Sequence, residues 1–125
     1  MFSRGRFKGR RAFLSFTTGG TAATYGPTGL YGSADVVFWP IQNGVLNFLG
    51  YSVLPFFQAE APSKTDDAGR AEILTAWETR LRSLDALTPL DFHDLGDFDQ
   101  QAGWTFKPGI VGRTVAQPGI TKTSE

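Results

Sequence analysis

At 125 residues the chain is the size of one domain, so a single core is expected. Hydrophobic residues at 41% and aromatics at 14% give ample material for burial and argue against disorder. Twelve basic residues balance twelve acidic ones, which removes any electrostatic reason for a nucleic acid or anionic membrane partner, and the lack of cysteine excludes disulfides, thiolate zinc sites and a thiol nucleophile.

The chain opens with a basic lead-in, Met1 to Arg11, whose charges read as solvated. The apolar stretch after it, Ala12-Phe13-Leu14, is too short for a signal peptide core, and no segment approaches the about 20 apolar residues of a membrane span. A cytoplasmic location is the expectation. Residues 12–18 are apolar, aromatic and β-branched and end at Gly19-Gly20, which predicts a buried strand running into a glycine turn. A loop with Gly26-Pro27 and Gly29 follows. From Ser33 to Leu49 the pattern is helical, with a turn over 33–39 and then a main helix carrying Pro40 in its first turn, where proline is tolerated. Gly50 fits a left-handed cap.

Tyr51 to Phe57 reads as a second strand, placed at a sheet border because Pro55 lies inside it, and residues 58–64 read as a polar loop. Thr65 is the expected cap of a second helix, with Asp66 and Asp67 in its first turn. Ile73, Leu74, Trp77, Leu81 and Leu84 recur at helical spacing on its apolar face. Residues 93–125 are rich in Gly, Pro, Asp and Thr and read as an extended tail. The sole histidine, His93, lies in an Asp-rich loop, and no metal site is expected on it.

Strand, helix, strand, helix is the order of a parallel, right-handed crossover unit. Two strands cannot bury both faces of such a sheet, so the chain reads as part of a doubly wound α/β domain. In open α/β sheets ligands bind outside the carboxyl ends of the strands, which makes Thr17-Thr18-Gly19-Gly20 the first candidate site. Glycines there let backbone amides approach a flat ring or an anion. On these four residues alone, a tight turn with self-satisfied hydroxyls is the stronger reading.

The context adds to this. Leu14-Ser15-Phe16-Thr17-Thr18-Gly19-Gly20, then Tyr25, then Trp39-Pro40-Ile41-Gln42, then Phe48-Leu49-Gly50-Tyr51-Ser52-Val53-Leu54 together resemble the NAD(P)H:quinone oxidoreductases of the DT-diaphorase type. Arg70, Ile73, Leu74, Trp77, Arg80-Leu81, Thr88-Pro89-Leu90 and Gln101-Ala102-Gly103-Trp104 extend the resemblance over most of residues 8–106. It implies a flavodoxin-like fold, bound FAD (with FMN as the alternative), NAD(P)H as co-substrate, a quinone acceptor and a homodimer with active sites at the subunit boundary. Residues 1–92 would be the C-terminal half of the flavin-binding domain, holding its last two strands and helices, and 93–125 its tail.

Carried over residue by residue, Thr17, Thr18, Gly19 and Gly20 would line the flavin ring, with Gly19 and Gly20 also facing substrate. Tyr25 would donate to a ring carbonyl, paired with Tyr31 in the catalytic role. Arg70 and Leu74 would lie near the adenine end, and Phe48 and Trp104 would form aromatic quinone-pocket walls reached from the other subunit. Two positions depart from the best-known members, which have histidine where this chain has Tyr31 and Lys64. A phenol is a poor relay cation near neutral pH, though it still donates a hydrogen bond. The family's flavin-pyrophosphate loop and its Pro-x-x-Trp-Phe-type loop have no counterpart here, so weak FAD binding and an exposed inner edge on strand 12–18 are expected. A non-catalytic reading stands beside the enzymatic one: a dimerisation or regulatory module, like the ancillary subunits of potassium efflux systems, or an inactive remnant. Tyr25, Tyr31, Phe48 and Arg70 also have plain readings, as loop pins, core or interface residues, and a solvated helix cation.

Overall fold

Arg11 to Thr18 has neither glycine nor proline and is extended in two pieces, β1 (Arg11–Ala12) and β2 (Ser15–Thr18). The computed structural model describes residues 1–114 and 117–119. β1 pairs with β3 (Ser52–Val53) and β2 with β4 (Phe57–Glu60), both in parallel, as the strand–helix–strand order predicts. Arg11 faces Ser52 whereas Ser15 faces Phe57, so Phe13 and Leu14 stand against the three residues Leu54, Pro55 and Phe56. One extra residue makes a bulge. The Leu54 amide donates to the Ala12 carbonyl at 2.8 Å and the next ladder bond is from Phe57 to Leu14 at 2.9 Å. Proline, with no N–H to give, therefore sits where the ladder asks for none. The strand expected over 51–57 is thus interrupted at its centre, and the expected polar loop 58–64 begins as β4.

Helical structure between the ladders starts with α1 (Ala34–Val37) and α2 (Trp39–Ile41), where Pro40 occupies the first turn as predicted. It continues as a π-helical segment, Gln42–Asn47, with Phe48 donating to Asn43 at 3.0 Å and Tyr51 to Leu46 at 3.1 Å. Gly50 ends it at φ +99°, a backbone that costs a glycine little.

The sheet buries an aromatic cluster on each face because successive side chains alternate. Phe16 packs on Phe38 of the first helical region at 4.1 Å and on Phe56 at 5.3 Å between ring centres. On the opposite face Phe13 and Phe57 meet Trp77 at 5.9 and 5.1 Å. Val53 and Leu54, between these layers, are the most buried apolar residues, at 1% and 2% exposure.

Trp77 belongs to α3 (Asp67–Arg82), which is capped by Asp66 accepting from the Gly69 amide at 2.8 Å. The cap is one residue later than expected, because the carboxylate of Asp66 reaches the third helical amide. Leu74 is 68% exposed and Leu81 46%, so the expected apolar face narrows to the side around Trp77. After α3 the chain returns to the sheet, Leu90 donating to Val53 at 2.8 Å. The segment expected as an irregular tail then forms an antiparallel hairpin, β5 (Phe98–Asp99) with β6 (Thr105–Phe106), and a further antiparallel pair, β7 (Val111–Thr114) with β8 (Gln117–Gly119). The end of the expected tail, 120–125, lies outside the described residues. Among those described, no helix is long and apolar enough to cross a membrane.

Candidate functional site

The carboxyl end of β2 is fastened by side chains. The buried Thr18 hydroxyl donates to the Gly20 carbonyl at 2.8 Å and accepts from Gln58 Nε2 at 3.0 Å. The Ala61 amide donates to the Thr18 carbonyl, and the Ala22 amide donates to the Glu60 carboxylate, each at 2.8 Å. The end of β4 therefore fixes both sides of the glycine turn. Thr17 and Gly19 are exposed, and a Cβ built on Gly19 meets nothing within 4 Å. Its neighbour differs: a Cβ on Gly20 would lie 2.5 Å from the Thr24 hydroxyl, which itself donates to the Thr21 carbonyl. Tyr25 closes the short turn Ala22–Tyr25, and the Tyr31 amide donates to the Thr24 carbonyl at 3.0 Å. The two phenol rings stack, with centres 5.1 Å apart. Thr17 to Gly20, Tyr25 and Tyr31 thus share one loop system at a strand carboxyl end. Its bare backbone face at Gly19 is what a flat heterocycle such as a flavin ring needs for close approach.

Arg70 and Leu74 share a face of α3, one turn apart. The guanidinium donates to the Thr65 carbonyl at 2.6 Å and the Pro62 carbonyl at 3.3 Å, and pairs with Asp67 at 2.5 Å. These bonds hold the 62–65 loop onto the first turn of α3, so Arg70 has a structural task in its own right.

Phe48 and Trp104 lie away from the glycine turn. The π-helical segment leads back from the carboxyl end of β2 to the start of β3, so Phe48 comes to the opposite end of the parallel strands. It meets Phe2 edge-on at 5.4 Å. Trp104, in the β5–β6 turn, has φ +63°, a left-handed backbone that is uncommon for a bulky residue, and its amide donates to the Asp99 carbonyl at 2.8 Å. Met1, Phe2, Asn43, His93, Leu95, Phe98 and Trp104 line a cavity of about 310 Å³. Phe2 thereby links the two expected pocket walls.

His93 is the residue that sequence reasoning left unused. Its side chain is 3% exposed, and Nδ1 lies 2.9 Å from Asp97 Oδ2. Nε2 is buried without a hydrogen-bond partner. The Phe106 ring lies 4.7 Å away, nearly edge-on, and is stacked in turn on Phe98. The available signal was an Asp four residues after a His, beside phenylalanines.

The parallel ladder, its two aromatic layers and the glycine turn fall largely within residues 1–81, which match the sequence profile of the family described as flavodoxin-like fold. The chain belongs to that family. Within it, the chain is 38% identical over 112 residues to the NAD(P)H dehydrogenase [quinone] 1 of Cavia porcellus, covering 88% of this chain and 41% of the relative. To the human ribosyldihydronicotinamide dehydrogenase [quinone] it is 37% identical over 83 residues, covering 66% of this chain and 36% of the relative. A Klebsiella pneumoniae structure, provisionally named a quinone reductase, superimposes with a TM-score of 0.83 at 33% identity, over 90% of this chain and 44% of that one. The chain therefore spans less than half the length of these flavodoxin-like relatives. The resemblance read from Thr17-Thr18-Gly19-Gly20 and Trp39-Pro40-Ile41-Gln42 agrees with these matches.

Proposed function

We propose that this chain carries the ring-side half of a flavin site in a two-electron NAD(P)H:quinone oxidoreductase. The observation that carries the reading is the bare backbone face of Gly19 at the carboxyl end of a parallel strand, braced by Thr18 and flanked by stacked tyrosines. Thr17, Thr18, Gly19 and Gly20 line the ring, and Tyr25 donates a hydrogen bond where negative charge accumulates. Tyr31 orients Tyr25 by stacking. A bound flavin supplies the hydride transfer from NAD(P)H to the quinone. FAD is the expected form and FMN the alternative.

In this reading residues 1–92 are the C-terminal half of a flavin-binding domain, 93–125 are its tail, and the pyrophosphate-holding loop lies outside these residues. Phe48 and Trp104 sit at the other end of the strands from Gly19, which supports their serving the partner subunit's flavin in a homodimer. A cysteine-free composition fits a cytoplasmic protein. The named relatives favour this enzymatic reading over a non-catalytic module.

The test is flavin titration of the 125-residue chain, followed by flavin absorbance and by NMR of Tyr25 and Tyr31. Riboflavin, FMN and FAD should all perturb these tyrosines, because all three carry the same ring, and FAD should bind at least as tightly as riboflavin. Tyrosines unmoved by all three overturn the assignment.

A further inference from the structure

Glu60 is the last residue of β4 and stands opposite Thr18 in the parallel ladder. Its carboxylate reaches across to the loop beyond β2, where Oε2 accepts from the Ala22 amide at 2.8 Å. Ala22 opens the short turn that Tyr25 closes. The turn carrying Tyr25 is thereby tied to the strand end that also fixes the glycine turn.

Two backbone features make this reach possible. Ala61, the next residue, has φ +40°, a left-handed backbone that a residue with a Cβ adopts at a cost, and it is buried at 8% exposure. Its amide donates to the Thr18 carbonyl at 2.8 Å. β4 is therefore pinned to β2 at the last rung and then turns away, leaving Glu60 at the rim. On the other side Thr21 is extended, at φ −77° and ψ 167°, and the Ala22 amide after it has no partner within the turn. The Thr24 amide bonds back to Thr21 and the Gly26 amide to Ala23, both inside the turn. The Glu60 bond differs, because it joins the turn to another strand, 38 positions away. It is exposed but charge-assisted, the stronger kind of hydrogen bond.

We propose that Glu60 is a positioning residue: by holding the Ala22 amide it sets where the Tyr25 phenol stands relative to Gly19. Only the consequence for ring binding rests on the flavin reading; the tie itself is a property of the flavin-free chain. Two substitutions cut the tie from opposite ends. Glu60→Ala removes the acceptor. Ala22→Pro removes the donor and suits its place, since proline favours the first position of a helical turn and needs an extended residue before it, as Thr21 is. Glu60→Gln keeps an acceptor oxygen at the same reach.

The deciding experiment reads the Tyr25 and Tyr31 ring signals by NMR in the flavin-free 125-residue chains, then titrates each chain with riboflavin. Glu60→Ala and Ala22→Pro should each move both tyrosines in the same direction, and weaken riboflavin binding about fivefold. The signals of Trp77, on the α3 face of the sheet, should stay in place. Combining the two substitutions should add nothing, because they break one bond. Glu60→Gln should bring both readings back to within about twofold of the unaltered chain. Tyrosines unmoved by either substitution, losses that add in the double variant, or Glu60→Gln behaving as Glu60→Ala overturns the proposal. The coupling across the hydrogen bond, between the Ala22 nitrogen and the Glu60 carboxyl carbon, is read in the unaltered chain. Its absence overturns the proposal even where a variant fails to fold. Riboflavin that leaves the unaltered chain's tyrosines in place sinks the flavin reading alone, and the flavin-free ring signals still decide for or against Glu60.

Discussion

Gly19 and Gly20 are chain neighbours with opposite surroundings, and that contrast yields a test at single-residue scale. A methyl on Gly19 enters open space, so Gly19→Ala should change unfolding free energy by no more than about 0.5 kcal/mol. It should nevertheless weaken flavin binding, since the methyl occupies the face offered to the ring. Gly20→Ala should instead lower stability, displacing the Thr24 hydroxyl from the Thr21 carbonyl and costing about 1–2 kcal/mol. Urea unfolding combined with flavin titration separates the two effects. The same loop gives a third substitution: Thr18→Val leaves the Gln58 amide and the Gly20 carbonyl without their shared hydroxyl, at a cost of about 1–3 kcal/mol. The sequence already pointed to this turn, because hydroxyls and glycines after an apolar run are a local signal. His93 was opaque for the converse reason. Its burial depends on Phe98 and Phe106 meeting across a hairpin that has only two residues in each strand and little periodicity to read.

At the scale of elements, the bulge at Pro55 and helix α3 belong to one device. The bulge turns the Pro55 and Phe56 carbonyls out of the ladder, and Arg80 collects both, at 2.5 and 3.2 Å. Its guanidinium also lies 5.8 Å from the ring centres of Phe13 and Phe57, the rings on which Trp77 packs. Arg80→Lys keeps the charge but cannot present two parallel donors, so about 1–2 kcal/mol of stability should be lost. Arg80→Ala should lose about 3 kcal/mol, since it also forfeits the contacts over the rings. Thermal unfolding followed by circular dichroism checks the order; an Arg80→Lys chain as stable as the unaltered one would remove the two-carbonyl argument. Helix α3 and the parallel pairing were legible, one from its acidic first turn and apolar spacing, the other from strand–helix–strand order. The interrupted strand was not, because Pro55 signals a missing donor without saying whether an edge or a bulge accommodates it.

At the scale of the whole molecule, the helical region between the ladders leaves an apolar stripe in solvent. Val37, Ile41, Val45 and Phe48 recur at intervals of three or four and are 42%, 43%, 46% and 41% exposed. Such a stripe on one face of a helical run is the form of an interface, and in a twofold dimer each residue is used twice. A substitution there is therefore doubled in the association energy. Val45→Glu places a carboxylate on the stripe in both copies, and at about 2–3 kcal/mol per copy for burying an unpaired polar group the dimer should weaken by at least about a thousandfold. Leu74 is the matched control. It is the more exposed residue at 68%, but it stands on α3, so Leu74→Glu should leave association unchanged. Sedimentation velocity over a concentration series gives the answer. A dimer that Val45→Glu dissociates and Leu74→Glu does not assigns the stripe to self-association, and a chain that stays monomeric at about 100 μM, where contacts worth about 5.5 kcal/mol would already assemble it, assigns the stripe to another segment instead.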